Sequence, residues 1–188
     1  MAFTNVENRN FQSPVKFNFI IDRLKDFDFY VQSINLPDVS LPFLESGTAF
    51  TTLKLPGNKL RFTELTATFK VSEGMYNWYE IFSWMQALGF PENQKQFGDL
   101  RDGNLKDLNG KASNSLNKRP TREIGDLYAQ ASLIMNTSHN NPHLIINFVD
   151  LHPISLTSVT LDTKSSDAEY VTATTTFAYD YFTVEKAK

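Results

Sequence analysis

Three histidines and two groups of carboxylates are the residues of this sequence that could do chemistry. His139 and His143 are four residues apart, a spacing that on a helix would present two metal ligands on one face. The Asn-Asn-Pro sequence between them instead predicts a turn, and no third ligand lies nearby in the sequence. His152 precedes Pro153 and is interpreted as a strand-end residue. We therefore expect neither a metal nor another cofactor.

The carboxylates could in principle form an acid–base pair for glycoside hydrolysis. They make two groups, one of Asp22, Asp26 and Asp28 and the other of Asp162, Asp167 and Glu169. Both groups fall at predicted strand connections, where Asp is ordinarily a turn former. The sequence also contains no cysteine, no phosphate-binding glycine loop and no G-x-S-x-G motif. We expect that the protein is not an enzyme.

The composition is that of one ordinary globular domain covering residues 1–188. Hydrophobic residues make up 41% and charged residues 21%, with a formal net charge of −3. This weakly acidic balance disfavours a broad nucleic-acid-binding surface. The N-terminal segment has no apolar stretch of signal-peptide length, and no apolar run is long enough to span a membrane. We expect a protein of an aqueous compartment that has no membrane partner.

Alternation of apolar and polar residues predicts most of the chain to be β-strand. The predicted strands are residues 15–22, 27–36, 49–55, 61–71, 128–136, 143–150, 155–162 and 169–185. We expect the first two to form a hairpin, Pro153 to interrupt the sheet, and residues 37–48 to be an extended loop. In the last strand, Thr172, Thr174 and Thr176 share one face, which suits exposure to solvent.

One helix is predicted between Ser72, a candidate N-cap, and Gly89, which can adopt the left-handed stop conformation before Pro91. The predicted apolar stripe comprises Trp78, Phe82 and Met85, with Ile81 and Leu88 on an adjoining face. The aromatic residues outside this stripe are Tyr76, Tyr79 and Trp84. They indicate either a thick core contact or a second surface covered by a neighbouring subunit, with Trp84 as the candidate subunit contact.

Residues 92–126 are polar and contain seven of the 18 lysines and arginines of the chain. A stretch of this length without a packing period is typical of a functional or unstructured insertion. The segment is either ordered by a partner or a surface insertion. If it is ordered by a partner, the candidate contacts are Leu100, Arg101, Lys118 and Arg119. The predicted fold is an antiparallel β-sandwich or partly closed barrel with one flanking α-helix and a long insertion.

Three blocks of sequence, in this order, resemble a known family. They are FYVQSINLPDVSLP, PGNKLRFTELTATFKVSEGMYNWYEIFSWMQALGFP and NFVDLHPISLTSVTLDTKSSDAEYVTATTTFAYDYFTVEK. Together they resemble the tail-tube-fold family of contractile-tailed bacteriophages and cover about two thirds of the chain. The ending YDYFTVEK and the helix residues Trp84 and Met85 make the tube terminator and sheath stabiliser, or tail completion, branch the most similar one.

This resemblance implies a structural virion protein that forms a hexameric ring around a central channel. Its sheets would join edge to edge between subunits, and genomic DNA would pass through without specific binding. The channel-facing residues would be Thr172, Thr174 and Thr176. The loop at residues 37–58 would contact the adjacent ring, with Pro37, Val39, Leu41 and Pro42 as candidate contacts. The implied partners are copies of the chain itself and tube, sheath or neck proteins, in a tail assembled in the host cytoplasm.

Two other functions remain open at this point. The chain could be the major tail tube subunit, which shares the terminator's fold and stacks into a tube. It could also be a β-sandwich binding module, such as a carbohydrate binder, in which aromatic residues would lie on a sheet face or in loops. The aromatic helix argues against the binding module, and a hydrolase is disfavoured because no convincing acid–base pair is present.

Overall fold

The computed structural model describes residues 14–24, 27–113, 116–117, 127–161 and 170–187. The helices are α1 (Phe27–Tyr30), α2 (Tyr76–Gly89) and α3 (Lys95–Arg101). The strands are β1 (Phe17–Ile21), β2 (Val31–Asn35), β3 (Val39–Ser40), β4 (Phe43–Gly47), β5 (Thr52–Pro56), β6 (Arg61–Phe62), β7 (Leu65–Lys70), β8 (Ala129–Asn136), β9 (Pro142–Leu156), β10 (Thr172–Ala178) and β11 (Tyr181–Lys186). Within these ranges, no helix is both long and apolar enough to cross a membrane.

The 15-residue strand β9 connects the two layers of the molecule. Its N-terminal part pairs with β8 and β11, and its C-terminal part pairs with β10. One layer therefore has the order β1-β8-β9-β11 and the other β9-β10-β7-β2, with antiparallel pairing throughout. Asp150, with φ 57°, lies between the two parts of β9. The prediction of an antiparallel β-sandwich with a flanking helix is confirmed.

A row of phenylalanine rings joins the two layers through the core. Phe148 and Phe19 have ring centroids 6.4 Å apart, Phe19 and Phe27 6.3 Å, and Phe27 and Phe69 5.2 Å. All four side chains are buried. Fully burying a side chain of this size contributes roughly 1.5–3 kcal/mol. The single turn α1 thus places Phe27 between the layers, where the sequence pattern predicted strand.

Several connections differ from the sequence-based expectation. The first strand pairs with β8 rather than with β2, so the predicted hairpin between them is wrong. The predicted loop at residues 37–48 contains β3 and β4. Strand β9 continues through Pro153, where Ile154 is an extra residue opposite the step from Thr176 to Phe177. The strand predicted at residues 155–162 therefore extends only to Leu156, and the final strand divides at Asp180 into β10 and β11.

The N-cap of α2 is Met75 and not the predicted Ser72, although the Ser72 hydroxyl accepts from the Asn77 N–H at 3.5 Å and donates to Asn77 Oδ1 at 3.1 Å. The Asn77 Oδ1 atom accepts from the backbone N–H of Ser72 at 3.0 Å, and Nδ2 donates to the Lys70 carbonyl at 2.7 Å. The helix follows Met75, which has φ 60°. Gly74 has φ 83°, and a Cβ at this position would lie 2.7 Å from the Tyr76 ring, so the turn requires glycine. At the other end the left-handed residue is Phe90, with φ 33°, and not Gly89.

The buried face of α2 only partly matches the prediction, because Trp78, Met85 and Leu88 do pack against the core but Phe82 does not. Ile81, Trp84 and Ala87 are buried, whereas Phe82 is 40% exposed and stacks on the partly buried Trp78 at 5.3 Å. Trp84 is accommodated in the core because its indole Nε1 donates to the Leu127 carbonyl at 3.2 Å. Its ring also lies 5.7 Å from the guanidinium carbon of Arg23, which is itself buried.

Part of the predicted insertion at residues 92–126 belongs to the folded body. Helix α3 packs against α2 and buries Leu100, and Leu116 is also buried in the core. An isolated bridge joins Lys106 to Ala112. The polar composition concealed these apolar anchors because they are separated by polar turns rather than spaced at a helical or strand period.

Candidate assembly interface

Strands β7 and β10 present a continuous row of threonines on the surface of the second layer. Thr66 lies opposite Thr176, and Thr68 lies opposite Thr174 with the two Oγ1 atoms 3.0 Å apart. The intervening side chains of both strands are buried, so the threonines point away from the core. The predicted alternation of β10 is therefore present, and β7 doubles the threonine row.

The same surface extends onto both flanking strands. Ser33 and Asn35 of β2 lie opposite Thr68 and Thr66, and Ser155 of β9 lies opposite Thr176. We call this surface the hydroxyl face, and its members are Ser33, Asn35, Thr66, Thr68, Ser155, Thr172, Thr174 and Thr176. In β2, β7, β10 and residues 152–156 of β9, all of which the structure describes, Lys70 is the only Lys, Arg, Asp or Glu, and it lies opposite Thr172.

Both edges of the hydroxyl face are strand edges that no other described strand covers. In the described part of the chain, no strand pairs with the outer side of β2 or with the outer side of β9 beyond Leu151. Open strand edges are sites at which a sheet can be extended by another strand. Pro153 and the Ile154 bulge lie on the β9 edge, which is where proline and bulges are tolerated in sheets.

A projecting arm forms the second candidate surface. It comprises residues 39–62, with β3 paired to β6 at its base and the hairpin β4–β5 beyond. Every residue of β4 and β5 is exposed, and Phe50 at the tip is 100% exposed. The other exposed apolar side chains of the arm are Val39, Leu41, Phe43, Leu44, Leu53, Leu55 and Leu60. An isolated two-stranded hairpin is marginally stable, so this arm is suited to packing against a partner.

Aromatic packing holds the base of the arm against the sandwich. The Phe62 ring lies 5.2 Å from Phe182 and 6.2 Å from Tyr179. The Tyr179 hydroxyl donates to the Thr63 carbonyl at 2.8 Å, and burial raises the pKa of Tyr179 to about 12. Asp38 and Thr63 exchange two further bonds, because Asp38 N–H donates to Thr63 Oγ1 at 2.8 Å and Thr63 N–H donates to the Asp38 carbonyl at 3.1 Å.

The residues predicted as contacts have different environments. Val39 and Leu41 are about half exposed in the arm, whereas Pro37 is buried at its base. The Pro42 carbonyl accepts from Gly57 N–H at 2.7 Å and so closes the hairpin. These positions lie in or beside the arm, but the more exposed apolar residues Leu44 and Phe50 were missed by sequence reasoning.

Two of the predicted contacts are corrected by their burial. Trp84 is 0% exposed and Leu100 is 3% exposed, so neither side chain offers a surface to another subunit. Arg101 is exposed, and its Nε lies 3.0 Å from Asp102 Oδ1. Lys118 and Arg119 lie outside the described residues.

The described residues contain no group of three or more His, Asp or Glu side chains arranged to hold a metal ion. His139 is an exposed turn residue whose Nδ1 lies 3.3 Å from the Ser138 hydroxyl. The predicted turn between β8 and β9 is thus present.

Comparison with solved structures identifies the fold. The tube-terminating cap of the anti-feeding prophage superposes with a TM-score of 0.63 at 16% identity, covering 100% of both chains. The chain has the tail-tube fold. The sheath/tube terminator of the PVC extracellular contractile injection system gives a TM-score of 0.60 at 16% identity, covering 95% of this chain and 99% of that chain. A PVC sheath–tube complex gives 0.57 at 15% identity, covering 95% and 94%.

The predicted resemblance to the tail-tube fold is thereby confirmed at the level of structure. No protein-family model matches the sequence, and a comparison with curated proteins finds no match. In the tail-tube fold of this chain, the hydroxyl face and its two open edges belong to the β9-β10-β7-β2 layer. The arm leaves the same layer between β2 and β7.

Proposed function

We propose that this protein is a structural subunit of a contractile tail or injection particle, in which it forms a hexameric ring that terminates the tail tube and stabilises the sheath. The observation that carries the proposal is the hydroxyl face bounded by two open strand edges. Pairing β2 of one copy with the C-terminal part of β9 of the next would remove both edges. Repetition of this heterologous contact by rotation closes a ring.

Ring closure in this way would line a central channel with the hydroxyl face. Thr172, Thr174 and Thr176 would then be channel-facing, together with Thr66 and Thr68 of the neighbouring strand. Binding to nucleic acid depends chiefly on Lys and Arg contacts to phosphates. Lys70, which borders the hydroxyl face beside Thr172, is the one Lys or Arg in β2, β7, β9 and β10. A wall of hydroxyl groups would let genomic DNA pass without being retained.

The arm would provide the axial contact of the ring. Its apolar side chains are exposed among the described residues, and an exposed apolar cluster of this size is typical of a surface that a partner covers. Contact with the adjacent tube ring would bury them. The TM-scores with the two terminators, 0.63 and 0.60, are slightly higher than the 0.57 with the sheath–tube complex, and this order favours the terminal position in the tube. A ring subunit of this kind has no enzymatic function, and the particle would be assembled in the host cytoplasm.

Negative-stain electron microscopy and sedimentation velocity on the purified chain, over a concentration series, test the proposal. Discrete six-membered rings that do not stack are expected. Long tubes would instead make the chain the major tail tube subunit, which shares the fold and was the alternative from the sequence. A chain that stays monomeric at every concentration and does not add to tube ends would contradict the proposal and favour a β-sandwich binding module.

A further inference from the structure

A polar groove lies between α2 and residues 95–112, apart from the hydroxyl face and the arm. Its volume is about 640 Å³. This is within the range of sites that bind small molecules or short peptide segments. The residues of α2 that line it include Tyr79, Ser83 and Gln86. The opposite wall includes Lys95, Asp99, Asn104 and Lys106.

The opposite wall of the groove is held in place by backbone and side-chain bonds. Asn117 clamps the backbone of Leu105, since Leu105 N–H donates to Asn117 Oδ1 at 3.0 Å and Asn117 Nδ2 donates to the Leu105 carbonyl at 2.8 Å. Ser113 N–H donates to the same carbonyl at 2.8 Å. Asn104 N–H donates to the Asp99 carbonyl at 2.7 Å. The groove is therefore formed by the fold itself before any ligand arrives.

Ser83 provides an unsatisfied hydroxyl at this groove. The residue is 6% exposed, and its Oγ atom is buried without a hydrogen-bond partner in the part of the chain that the structure describes. Buried polar groups in proteins nearly always have a partner. A serine in a helix can usually bond to the carbonyl one turn earlier, but Ser83 does not do so here. Its hydroxyl is therefore available for a hydrogen bond to a ligand in the groove.

The chemistry of the remaining walls indicates the kind of ligand. The side-chain amides of Gln86 and Asn104 make no bond to another described residue, and amides can pair with both the N–H and C=O groups of a peptide backbone. Lys95 and Lys106 carry two positive charges against the one negative charge of Asp99. By residue type the lining is mostly polar, since eight of its 11 residues carry a polar or charged side chain. We propose that the groove binds an acidic peptide segment of a partner protein.

The position of the groove places this partner away from the hydroxyl face. Helix α2 turns Ile81, Trp84 and Ala87 into the core, and the threonines of β7 and β10 point away from that core. The groove and the hydroxyl face are therefore separate surfaces. If the ring of the proposed function forms, DNA in its channel and a peptide in the groove can be present together. The peptide site does not require the ring, because it depends only on the folded chain.

A library of random dodecapeptides displayed on particles, selected against the purified chain, tests this site. The double variant Lys95→Glu/Lys106→Glu serves for counter-selection, and Lys54→Glu/Lys186→Glu is a matched control with the same charge change at exposed sites outside the groove. Enriched peptides are then synthesised, and their affinities are measured by fluorescence anisotropy. We expect Asp- or Glu-containing peptides whose affinity falls at least about ten-fold in the groove variant and less than about two-fold in the control.

Two uncharged substitutions, Ser83→Ala and Ser83→Leu, show whether the peptides bind in the groove itself or respond only to the change in surface charge. Ser83→Ala should leave thermal stability unchanged while weakening the selected peptides, and Ser83→Leu should block them. Failure to obtain peptides that depend on Lys95, Lys106 and Ser83 would overturn the proposal. Full displacement of the peptides by millimolar sodium glutamate would also overturn it, because the site would then bind only small carboxylates. Sedimentation of the same variants shows separately whether ring formation is affected.

Discussion

Thr68 and Thr174 face each other across β7 and β10, with their hydroxyl oxygens 3.0 Å apart on the outward side of the sheet. This bond occupies hydroxyl groups that would otherwise be available to a ligand. The backbone N–H of Thr174 is also occupied, since it donates to Thr157 Oγ1 at 2.8 Å. The middle of the hydroxyl face is therefore neutral and internally bonded, as expected for a wall that a polymer can slide past.

Adding a positive charge to this wall should make it bind DNA. In Thr174→Lys, each subunit places one new cation on the hydroxyl face, so rings should retain double-stranded DNA that wild-type rings do not hold. The retention should fall steeply with salt, because phosphate contacts release counterions. Gel-shift assays over a salt series measure the effect. Thr183→Lys, an exposed change on β11 in the other layer, is the control. Equal DNA retention by both variants would show that the hydroxyl face is not the channel wall.

Trp84 and Phe82 should differ strongly in their contribution to stability. Trp84→Ala removes a fully buried side chain and should lower the free energy of unfolding by about 3–5 kcal/mol. Phe82→Ala removes a side chain that is 40% exposed and stacked on Trp78, and it should cost about 1 kcal/mol. Urea unfolding followed by fluorescence or circular dichroism gives both values. A larger loss of unfolding free energy for Phe82→Ala than for Trp84→Ala would mean that Phe82, and not Trp84, faces the core.

The apolar tip of the arm should matter for attachment and not for folding. Leu44→Ser/Phe50→Ser changes side chains that are 67% and 100% exposed, so the free energy of unfolding should change by less than about 0.5 kcal/mol. Rings should still form, but they should no longer attach to tube ends in electron micrographs. Val15→Ser, at a residue that is 79% exposed outside the arm, should attach normally. Normal attachment of the arm variant would exclude the arm as the axial contact.

Tyr179 should make the folded state less stable at high pH. Its pKa is about 12 in the folded chain and about 10 when unfolded, so the folded state keeps its proton after the unfolded state has lost it. Stability from this group is therefore present below about pH 10 and decreases as the pH rises toward 12. Tyr179→Phe should flatten this decrease, measured as the difference in urea midpoint between the two proteins over that range. The Tyr179→Phe variant also lacks the hydrogen bond from the Tyr179 hydroxyl to the Thr63 carbonyl, and this loss does not depend on pH. Parallel pH profiles for the two proteins would contradict the assignment.

The strands were largely predictable from the sequence, because the alternation of β7 and β10 is local. Leu65, Ala67 and Phe69 are buried between Thr66 and Thr68, as a period of two requires. The threonines of β7 carry the same signal as those of β10 and could have been recognised as one face. The pairing of these threonines across β7 and β10 joins residues more than a hundred positions apart, so it cannot be predicted from a local sequence pattern.

The burial of Trp84 on α2 could not be predicted from the sequence, and neither could the strands of the arm. The reasons are related. The sequence shows several aromatic residues on α2, but Trp84 is buried because its indole finds the Leu127 carbonyl, 43 residues away. Likewise, β1 pairs with β8 rather than with the nearest strand. The arm contains two prolines and short apolar stretches that resemble a loop, and its strands are exposed on both faces. An alternation of buried and exposed residues cannot indicate a strand pair whose residues are all exposed in the described part of the chain.

Cysteine cross-linking between the two open edges tests the central claim most directly. The sequence contains no cysteine, so Asn35→Cys on β2 and Ser155→Cys on β9 introduce the only thiols. A short bismaleimide spanning neighbouring edges should convert the double variant into a ladder that ends at closed hexamers. An equal mixture of the two single variants should give dimers only, since each chain then has one reactive edge. Absence of cross-links in both samples, under conditions where the unmodified chain forms rings, would contradict edge-to-edge closure of the hydroxyl face.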